Sequence, residues 1–84
     1  MLKQQIRKKI LELTRSRGSH KTACPSDIAK SVAPENWRFY IDHIRAEAAN
    51  LQKEGKINIL QKGEPVSLKE AKGPIRLQIR EHDG

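Results

Sequence analysis

The first half of the chain repeats apolar residues at helical spacing. In residues 2–16 the apolar positions step by four, four and three, through Leu2, Ile6, Ile10 and Leu13. Side chains at these spacings share one face of a helix. Gly18 then follows two arginines, a combination typical of the region just past a helix C-terminus. The pattern predicts a first helix over residues 2–16.

A short second helix is predicted over residues 25–32. Pro25 stands at its first position, where proline is best tolerated, and Ser26 and Asp27 suit the first turn. Pro34 ends the helix, because proline cannot continue a helix interior. A tight break therefore separates this helix from the next one.

The third predicted helix, residues 37–54, carries the most regular stripe. Asn36 before it is a suitable N-cap, and Gly55 after it suits a left-handed C-cap. The apolar positions step by four, three, four and three, and are Trp37, Ile41, Ile44, Ala48 and Leu51. An unbroken stripe of this length predicts a helix that packs one face on the core.

After Gly55 the pattern changes from helical to alternating. Residues 57–61 and 75–80 alternate apolar and polar positions, which predicts the two strands of a β-hairpin. Glycines and prolines mark both ends of the segment between them, residues 62–74, as turns. Within that segment, residues 67–71 suit a single helical turn.

Helix, short helix, longer helix and hairpin, in that order, are the elements of a winged helix, which is an α+β fold. The second and third helices would form a helix-turn-helix, and the hairpin loop would be the wing. Residues 21–23 suit one very short additional strand. The 84 residues are predicted to form one domain, 1–84, with a frayed tail at 81–84.

Size and composition argue against an enzyme, a metal site or a membrane protein. So small a core leaves little room for a deep substrate pocket. Cys24 is the single cysteine, so no internal disulfide can form, and with His20 it supplies at most two zinc ligands. Basic residues interrupt the N-terminal apolar positions, as they would not in a signal peptide. We expect a cytoplasmic protein with no enzymatic activity, no cofactor and no membrane partner.

The net charge of +7 favours a polyanionic partner, but it is unevenly distributed. Residues 1–21 carry a net charge of +6, residues 22–55 a net charge of −1, and residues 56–84 a net charge of +2. Most of the excess therefore lies on the first helix, which in a helix-turn-helix protein usually packs behind the helices that meet DNA.

Several short stretches of the chain resemble a known family. They are Cys24-Pro25-Ser26, Trp37-Arg38, Ile44-Arg45, Glu54-Gly55-Lys56-Ile57, Gln61-Lys62-Gly63-Glu64-Pro65-Val66 and Gly73-Pro74-Ile75-Arg76-Leu77. Over residues 20–80 the chain resembles a family of small bacterial winged-helix-like proteins of unknown function. The resemblance implies the same fold. It implies no activity, because fold alone does not determine function.

The third helix is the first candidate for nucleic-acid binding. Arg38 and Arg45 are seven residues apart and therefore share a face, opposite the apolar stripe, with Asp42, Ala49 and Gln52 among its other members. Arginine can donate two hydrogen bonds to guanine in the major groove. The alternative is an ordinary solvated face, because Asp42 and Glu47 would repel phosphates.

The first helix is the second candidate, because its basic groups could lie along a phosphate backbone or contact an acidic lipid or protein; the alternative is a solvated, lysine-rich helix. The wing is the third candidate, through Lys62, Lys69 and Lys72, which could contact flanking phosphates. Glu64 and Glu70 oppose this, and an ordinary surface loop is the alternative. The three aromatic residues of the third helix could stack on bases. However, Trp37 begins the apolar stripe and is expected to be a core anchor. Of the other two, Phe39 and Tyr40, we expect one to pack under the wing and the other to be exposed.

Two functions remain open from the sequence. The first is binding to duplex DNA through Arg38, Arg45 and the wing lysines. The second is a protein-interaction adaptor without DNA binding, whose partner could be an acidic protein. A positive strip that joins the third helix to the wing would favour DNA, whereas a patch confined to the first helix would favour an acidic partner. A monomer is the default, because no separate dimerisation helix is predicted.

Overall fold

The computed structural model describes residues 3–71 and 73–80, which form three helices and three strands. The elements are α1 (Lys3–Arg17), α2 (Pro25–Val32), α3 (Trp37–Lys53), β1 (Ile57–Gln61), β2 (Glu64–Pro65) and β3 (Arg76–Ile79). The three predicted helices are confirmed to within one residue at each end. Leu2, Lys72 and the predicted frayed tail at 81–84 lie outside the described residues.

Helix α1 packs on the core through Ile6, Ile10 and Thr14. The sequence predicts Leu13 in the place that Thr14 takes on this buried face, but Leu13 is only half-buried. Thr14 can be buried because its hydroxyl donates a 2.7 Å hydrogen bond to the Ile10 carbonyl, which satisfies the polar group. The helix ends at Gly18, where φ is 83° and the amide donates back to the last turn.

Helix α3 buries the second half of its predicted stripe, Ile44, Ala48 and Leu51, completely. Trp37 and Ile41, in the first half, are half-buried at the edge of the core. The N-cap prediction is correct in position only, because no side-chain hydrogen bond from Asn36 caps the helix. The predicted C-terminal stop is confirmed, since Gly55 has φ of 78°.

The predicted two-stranded hairpin is a three-stranded antiparallel sheet in the order β2-β1-β3. Gln61 pairs with Glu64 across a two-residue turn, Lys62-Gly63. Both turn residues have positive φ, 54° and 81°, as type I′ hairpin turns require. Strand β2 is short and lies at the edge of the sheet, where Pro65 costs no ladder hydrogen bond.

Strand β3 joins the sheet to the connector between α1 and α2. Ala23 and Leu77 exchange two backbone hydrogen bonds of 2.7 Å, which confirms the predicted very short strand as a single bridge. The Gln78 side chain donates a further 2.7 Å bond to the Ser19 carbonyl. The connector is therefore held on the outer edge of β3.

The core lies between the three helices and one face of the sheet. Ile28 and Ala29 contribute from α2, and Ile57, Ile59 and Leu77 from the sheet. The architecture is α+β, with the helices first and the sheet after them. The segment between β1 and β3, residues 62–75, is named the β1–β3 connection. After β2 it leaves the sheet, and Val66 and Gly73 contact α3 before the chain enters β3.

Candidate nucleic-acid interface

The outward face of α3 carries Arg38 beside the ring of Trp37, with small exposed residues further along the helix. Arg38 is exposed, and its guanidinium carbon lies 5.0 Å from the centre of the Trp37 ring. Lys30 of α2 places its ammonium 4.7 Å from the centre of the same ring. Further along the face, Asp42 and Ala46 are exposed. Arg38 thus lies where the sequence predicts it, at the N-terminal end of the outward face.

The C-terminal half of the predicted face is partly covered by the β1–β3 connection. Gln52 donates a 2.6 Å hydrogen bond to the Val66 carbonyl, and Arg45 donates to the Gly73 carbonyl at 3.5 Å. Ala49 is half-buried in the same region. The predicted face is therefore wrong in part. Periodicity identifies the buried stripe, but it does not show that a loop covers one flank of the helix.

A shallow groove separates α3 from the β1–β3 connection. It has a volume of about 370 Å³ and is lined by Ala49, Gln52, Lys53, Ser67, Leu68 and Lys69. The predicted helical turn over 67–71 is confirmed, because the amides of Glu70 and Ala71 both donate to the Ser67 carbonyl. This turn places Lys69 on the same groove as Lys53.

The five predicted binding residues are not all brought together. Arg45 and Lys69 lie where α3 meets the β1–β3 connection, while Arg38 is near the start of the helix. Lys62 is exposed in the turn between β1 and β2, and no contact places it beside Arg38, Arg45 or Lys69, the other predicted residues that the structure describes. Lys72 lies outside the described residues. Lys53, which the helical repeat predicts to lie beside this face, is on the groove, although it was not among the five predicted binding residues.

The acidic residue expected to oppose phosphates on α3 faces α1 instead. Glu47 is only 7% exposed, and its carboxylate oxygens lie 3.7 Å from Lys3 and 3.8 Å from Arg7. Asn50 also donates to it. The expectation that Glu47 repels nucleic acid is therefore wrong. Among the described residues of α3, Asp42 is the one carboxylate that stays exposed.

Glu54, a second acidic residue just after α3, also pairs with α1. Both terminal nitrogens of Arg7 donate to the two oxygens of Glu54 at 2.8 Å, in a bidentate pair. These hydrogen bonds lower the pKa of Glu54 and raise the pKa of Arg7. Lys56 lies 3.8 Å from the same carboxylate and adds to the lowering.

The cations of α1 are therefore largely paired. Lys3 and Arg7 contact acidic groups of the α3 region, and Lys8 and Lys9 lie within 4.0 Å of Glu12 on α1 itself. The net charge of +6 for residues 1–21 already includes Glu12, so Glu47 and Glu54, from the α3 region, offset only part of that excess. The difference in charge between α1 and the outward face of α3 is thus smaller than the sequence indicates.

Three rings form an aromatic cluster on α3. The ring centres of Phe39 and Tyr40 are 5.1 Å apart, and His43 lies 5.8 Å from Phe39 and 5.9 Å from Tyr40. Phe39 is 67% exposed, which confirms the prediction that one of the pair Phe39 and Tyr40 faces solvent. Tyr40 is half-buried and packs against the core.

Cys24 is the N-cap residue of α2 and has structural partners. Its thiol sulfur lies 2.9 Å from the Ser26 hydroxyl oxygen, and its amide donates to the Asp27 carboxylate at 3.5 Å. Within residues 3–71 and 73–80, no group of three or more histidine, cysteine or acidic side chains is arranged to hold a metal ion. No helix in that part of the chain is long and apolar enough to cross a bilayer.

The fold defines a small α+β domain in which three helices precede an antiparallel sheet. Residues 3–80 match the family model DUF3253, which is described as a protein of unknown function. The chain therefore belongs to this family, and the match includes α1, which lies outside the stretches of sequence resemblance. None of the curated proteins matches the chain significantly. The family carries no assigned activity, so a functional proposal depends on the site itself.

Proposed function

We propose that this protein is a winged-helix module that binds duplex DNA. In this proposal α2 and α3 are the helix-turn-helix, α3 enters the major groove, and the β1–β3 connection is the wing. The order of the elements supports it, as does the contact of Arg45 with the connection, which joins the two parts of the surface. The proposal requires no catalytic step and no cofactor.

The observation that carries the proposal is where the acidic groups near α3 point. Glu47 and Glu54 pair with Arg7 on α1, so they do not face an incoming phosphate backbone. Arg38 and Arg45 remain on the other side of α3, with Asp42 as the opposing charge. Summed over its sequence, α3 has a net charge close to zero. The structure divides its charges between two sides, and the side proposed to meet DNA is the more basic one.

The proposed roles follow from side-chain chemistry. Arg38 and Arg45 would hydrogen-bond to base edges, where a bidentate arginine selects guanine. Lys62 and Lys69, with Lys72 beyond the described residues, would contact phosphates and position the domain without selecting sequence. Glu64 and Glu70 lie on the same connection and limit how closely it can approach a backbone.

An amide chemical-shift titration with a mixed-sequence duplex at about 0.15 M salt, where exposed charges are substantially screened, tests the proposal. Shifts concentrated on residues 36–53 and 62–71 would support it. Shifts confined to residues 3–21 that vanish as salt is raised would contradict it, because they would reflect attraction to the α1 cations alone. A single-stranded oligonucleotide of the same sequence is the control for duplex geometry.

The exposed aromatic ring of Phe39 favours a second candidate, a protein-interaction adaptor. An aromatic side chain that is two-thirds exposed on a helix is the kind of residue that anchors protein interfaces. This candidate predicts no duplex-induced shifts on residues 36–53. It also predicts that neither the unaltered protein nor Phe39→Ser binds duplex DNA measurably, whereas the DNA-binding proposal requires the unaltered protein to bind.

A further inference from the structure

A second basic surface lies away from the outward face of α3, where the α1–α2 connector meets β3. It is a shallow cavity of about 530 Å³, lined by Arg17, His20, Lys21, Thr22 and Arg76. Four of these five residues carry nitrogen groups that are cationic or become so on protonation. They come from the end of α1, the connector and the start of β3, so three separate segments converge on one cavity.

Two of the guanidinium groups are held in place by neutral oxygens. Arg17 donates to the Thr22 carbonyl at 2.9 Å, and Arg76 donates to the same carbonyl at 3.4 Å. Arg76 also donates to the Thr22 hydroxyl at 2.9 Å. A neutral acceptor positions an arginine without cancelling its charge. Each guanidinium has five N–H donors, so both retain donors for a further acceptor.

The balance of charge in this region is positive. Asp27 lies 3.3 Å from Arg17, and hydrogen bonds from Cys24, with Arg17 and Arg76 nearby, lower the pKa of the Asp27 carboxyl. Among the described residues, no carboxylate lies within ion-pair distance of Arg76 or Lys21. One acidic group therefore faces three permanent cations.

The segments that line the cavity are fixed relative to each other. The paired hydrogen bonds between Ala23 and Leu77, and the bond from Gln78 to Ser19, fasten the connector to β3 on both sides of Thr22. The guanidinium groups are thus positioned before any ligand arrives. Such preorganisation lowers the entropic cost of binding.

We infer that this cavity binds a phosphate group. Two arginines with free N–H donors and an adjacent lysine match the tetrahedral oxygens and negative charge of phosphate. The phosphate could belong to the backbone of the duplex proposed above or to a small phosphorylated molecule. The inference does not depend on the proposed function, because the site is separate from Arg38, Arg45 and the β1–β3 connection.

The test is a titration of the labelled protein with inorganic phosphate, with sodium chloride adjusted to keep the ionic strength constant. Saturable shifts at residues 17–22 and 76–78 are expected. Arg76→Gln should weaken the apparent phosphate affinity by about fivefold or more, since a charge-assisted hydrogen bond is lost. Arg80→Gln is the matched control, because it removes the same charge just after the same strand but does not line the cavity.

Lys21→Gln provides a second variant, because the exposed Lys21 side chain makes no hydrogen bond that holds the fold. It should also weaken phosphate binding. The inference is overturned if phosphate causes no saturable shifts at these residues, or if Arg76→Gln and Lys21→Gln bind phosphate as tightly as Arg80→Gln does.

A parallel titration with duplex DNA identifies the source of the phosphate. Shifts at residues 17–22 and 76–78 that Arg76→Gln removes would assign the site to the DNA backbone. Phosphate binding without such DNA-induced shifts would assign it to a small phosphorylated molecule. Because the phosphate titration contains no DNA, failure of this inference is distinguishable from failure of DNA binding.

Discussion

The burial and the contacts of each side chain on α3 depend on which element packs against that side of the helix. Ile44 points into the core, Glu47 meets the cations of α1, and Arg45 meets the β1–β3 connection, although these residues are close together on one helix. The helical repeat predicts the burial of Ile44 because burial follows directly from the apolar stripe. It does not predict the partners of Glu47 and Arg45, because these are set by segments distant in sequence.

Replacement of Ile44 by aspartate should unfold the domain. The side chain is completely buried, and an unpaired carboxylate there costs more than about 3 kcal/mol, a large part of the stability of a small domain. Circular dichroism and urea unfolding would measure the loss. Ala46→Asp, two residues away and exposed, is the control and should remain folded. A cooperatively folded Ile44→Asp variant would be inconsistent with the position of α3.

Replacement of Arg45 by alanine should weaken duplex binding by about tenfold, the expected loss for one arginine contact to a base. The melting temperature should be nearly unchanged, because the contact with Gly73 is long and exposed. Fluorescence anisotropy with a labelled duplex gives the affinity. Arg15→Ala removes the same charge from α1 and should have little effect. Equal affinities of Arg45→Ala and the unaltered protein would exclude Arg45 from the interface.

Among the elements, the helices are predictable from sequence, whereas the β1–β3 connection is predictable only in its turns and not in its path. Each helix has a periodic stripe and residues that favour its ends, such as Pro25 and Gly55. The connection has no apolar period, although Val66 and Leu68 pack against the core, and its first turn uses Lys62-Gly63 instead of the more familiar Asn-Gly pair. Its path across α3 depends on the hydrogen bond from Gln52 to Val66, a tertiary contact that no local pattern encodes.

The ion pair between Arg7 and Glu54 links α1 to the end of α3 and predicts a pH-dependent stability. Because the folded state lowers the pKa of Glu54, this carboxylate stabilises the fold above its ordinary pKa, and the contribution is lost as pH falls through the lowered value. Glu54→Gln should therefore lower the melting temperature at neutral pH. The difference should shrink as pH falls from the ordinary pKa of glutamate through the lowered pKa of Glu54, because the carboxylate is then protonated in both the folded and the unfolded state.

Glu12→Gln is the control for this experiment. Glu12 pairs with Lys8 and Lys9 within α1, in exposed contacts that contribute little. Its loss should leave the melting temperature nearly unchanged throughout this pH range. A Glu54→Gln variant that melts at the same temperature as the unaltered protein at neutral pH would show that the α1–α3 link does not stabilise the fold.

For the whole molecule, the arrangement of charge matters more than its total. The net charge of +7 would suggest a uniformly basic protein, but pairing between α1 and the α3 region offsets part of it. Within residues 3–71 and 73–80 two basic surfaces stand out, one on the outward side of α3 with the β1–β3 connection and one at the Arg17–Arg76 cavity. The sequence indicated the first of these. It gave no sign of the second, because Arg17 and Arg76 are far apart along the chain.

The salt dependence of DNA binding tests the proposed phosphate contacts together. If Lys62, Lys69 and Lys72 each neutralise one phosphate, the logarithm of the association constant should fall by about 2.7 for each tenfold rise in salt. Lys62→Gln should reduce this slope by about one. Lys8→Gln, which removes a charge from α1, should leave it unchanged. A slope near zero for the unaltered protein would argue against a phosphate-binding surface.

The bridge between Ala23 and Leu77 also has a consequence for how the protein is made. Strand β3 supplies Leu77 and Ile79 to the core, with Ile75 just before it, and its edge fastens a connector that was synthesised more than fifty residues earlier. While the ribosome is still translating, the three helices can form, but their apolar faces stay uncovered until β3 emerges. The nascent chain therefore depends on β3 to cover its core, and a product stalled before β3 would expose the surfaces that chaperones and proteases recognise.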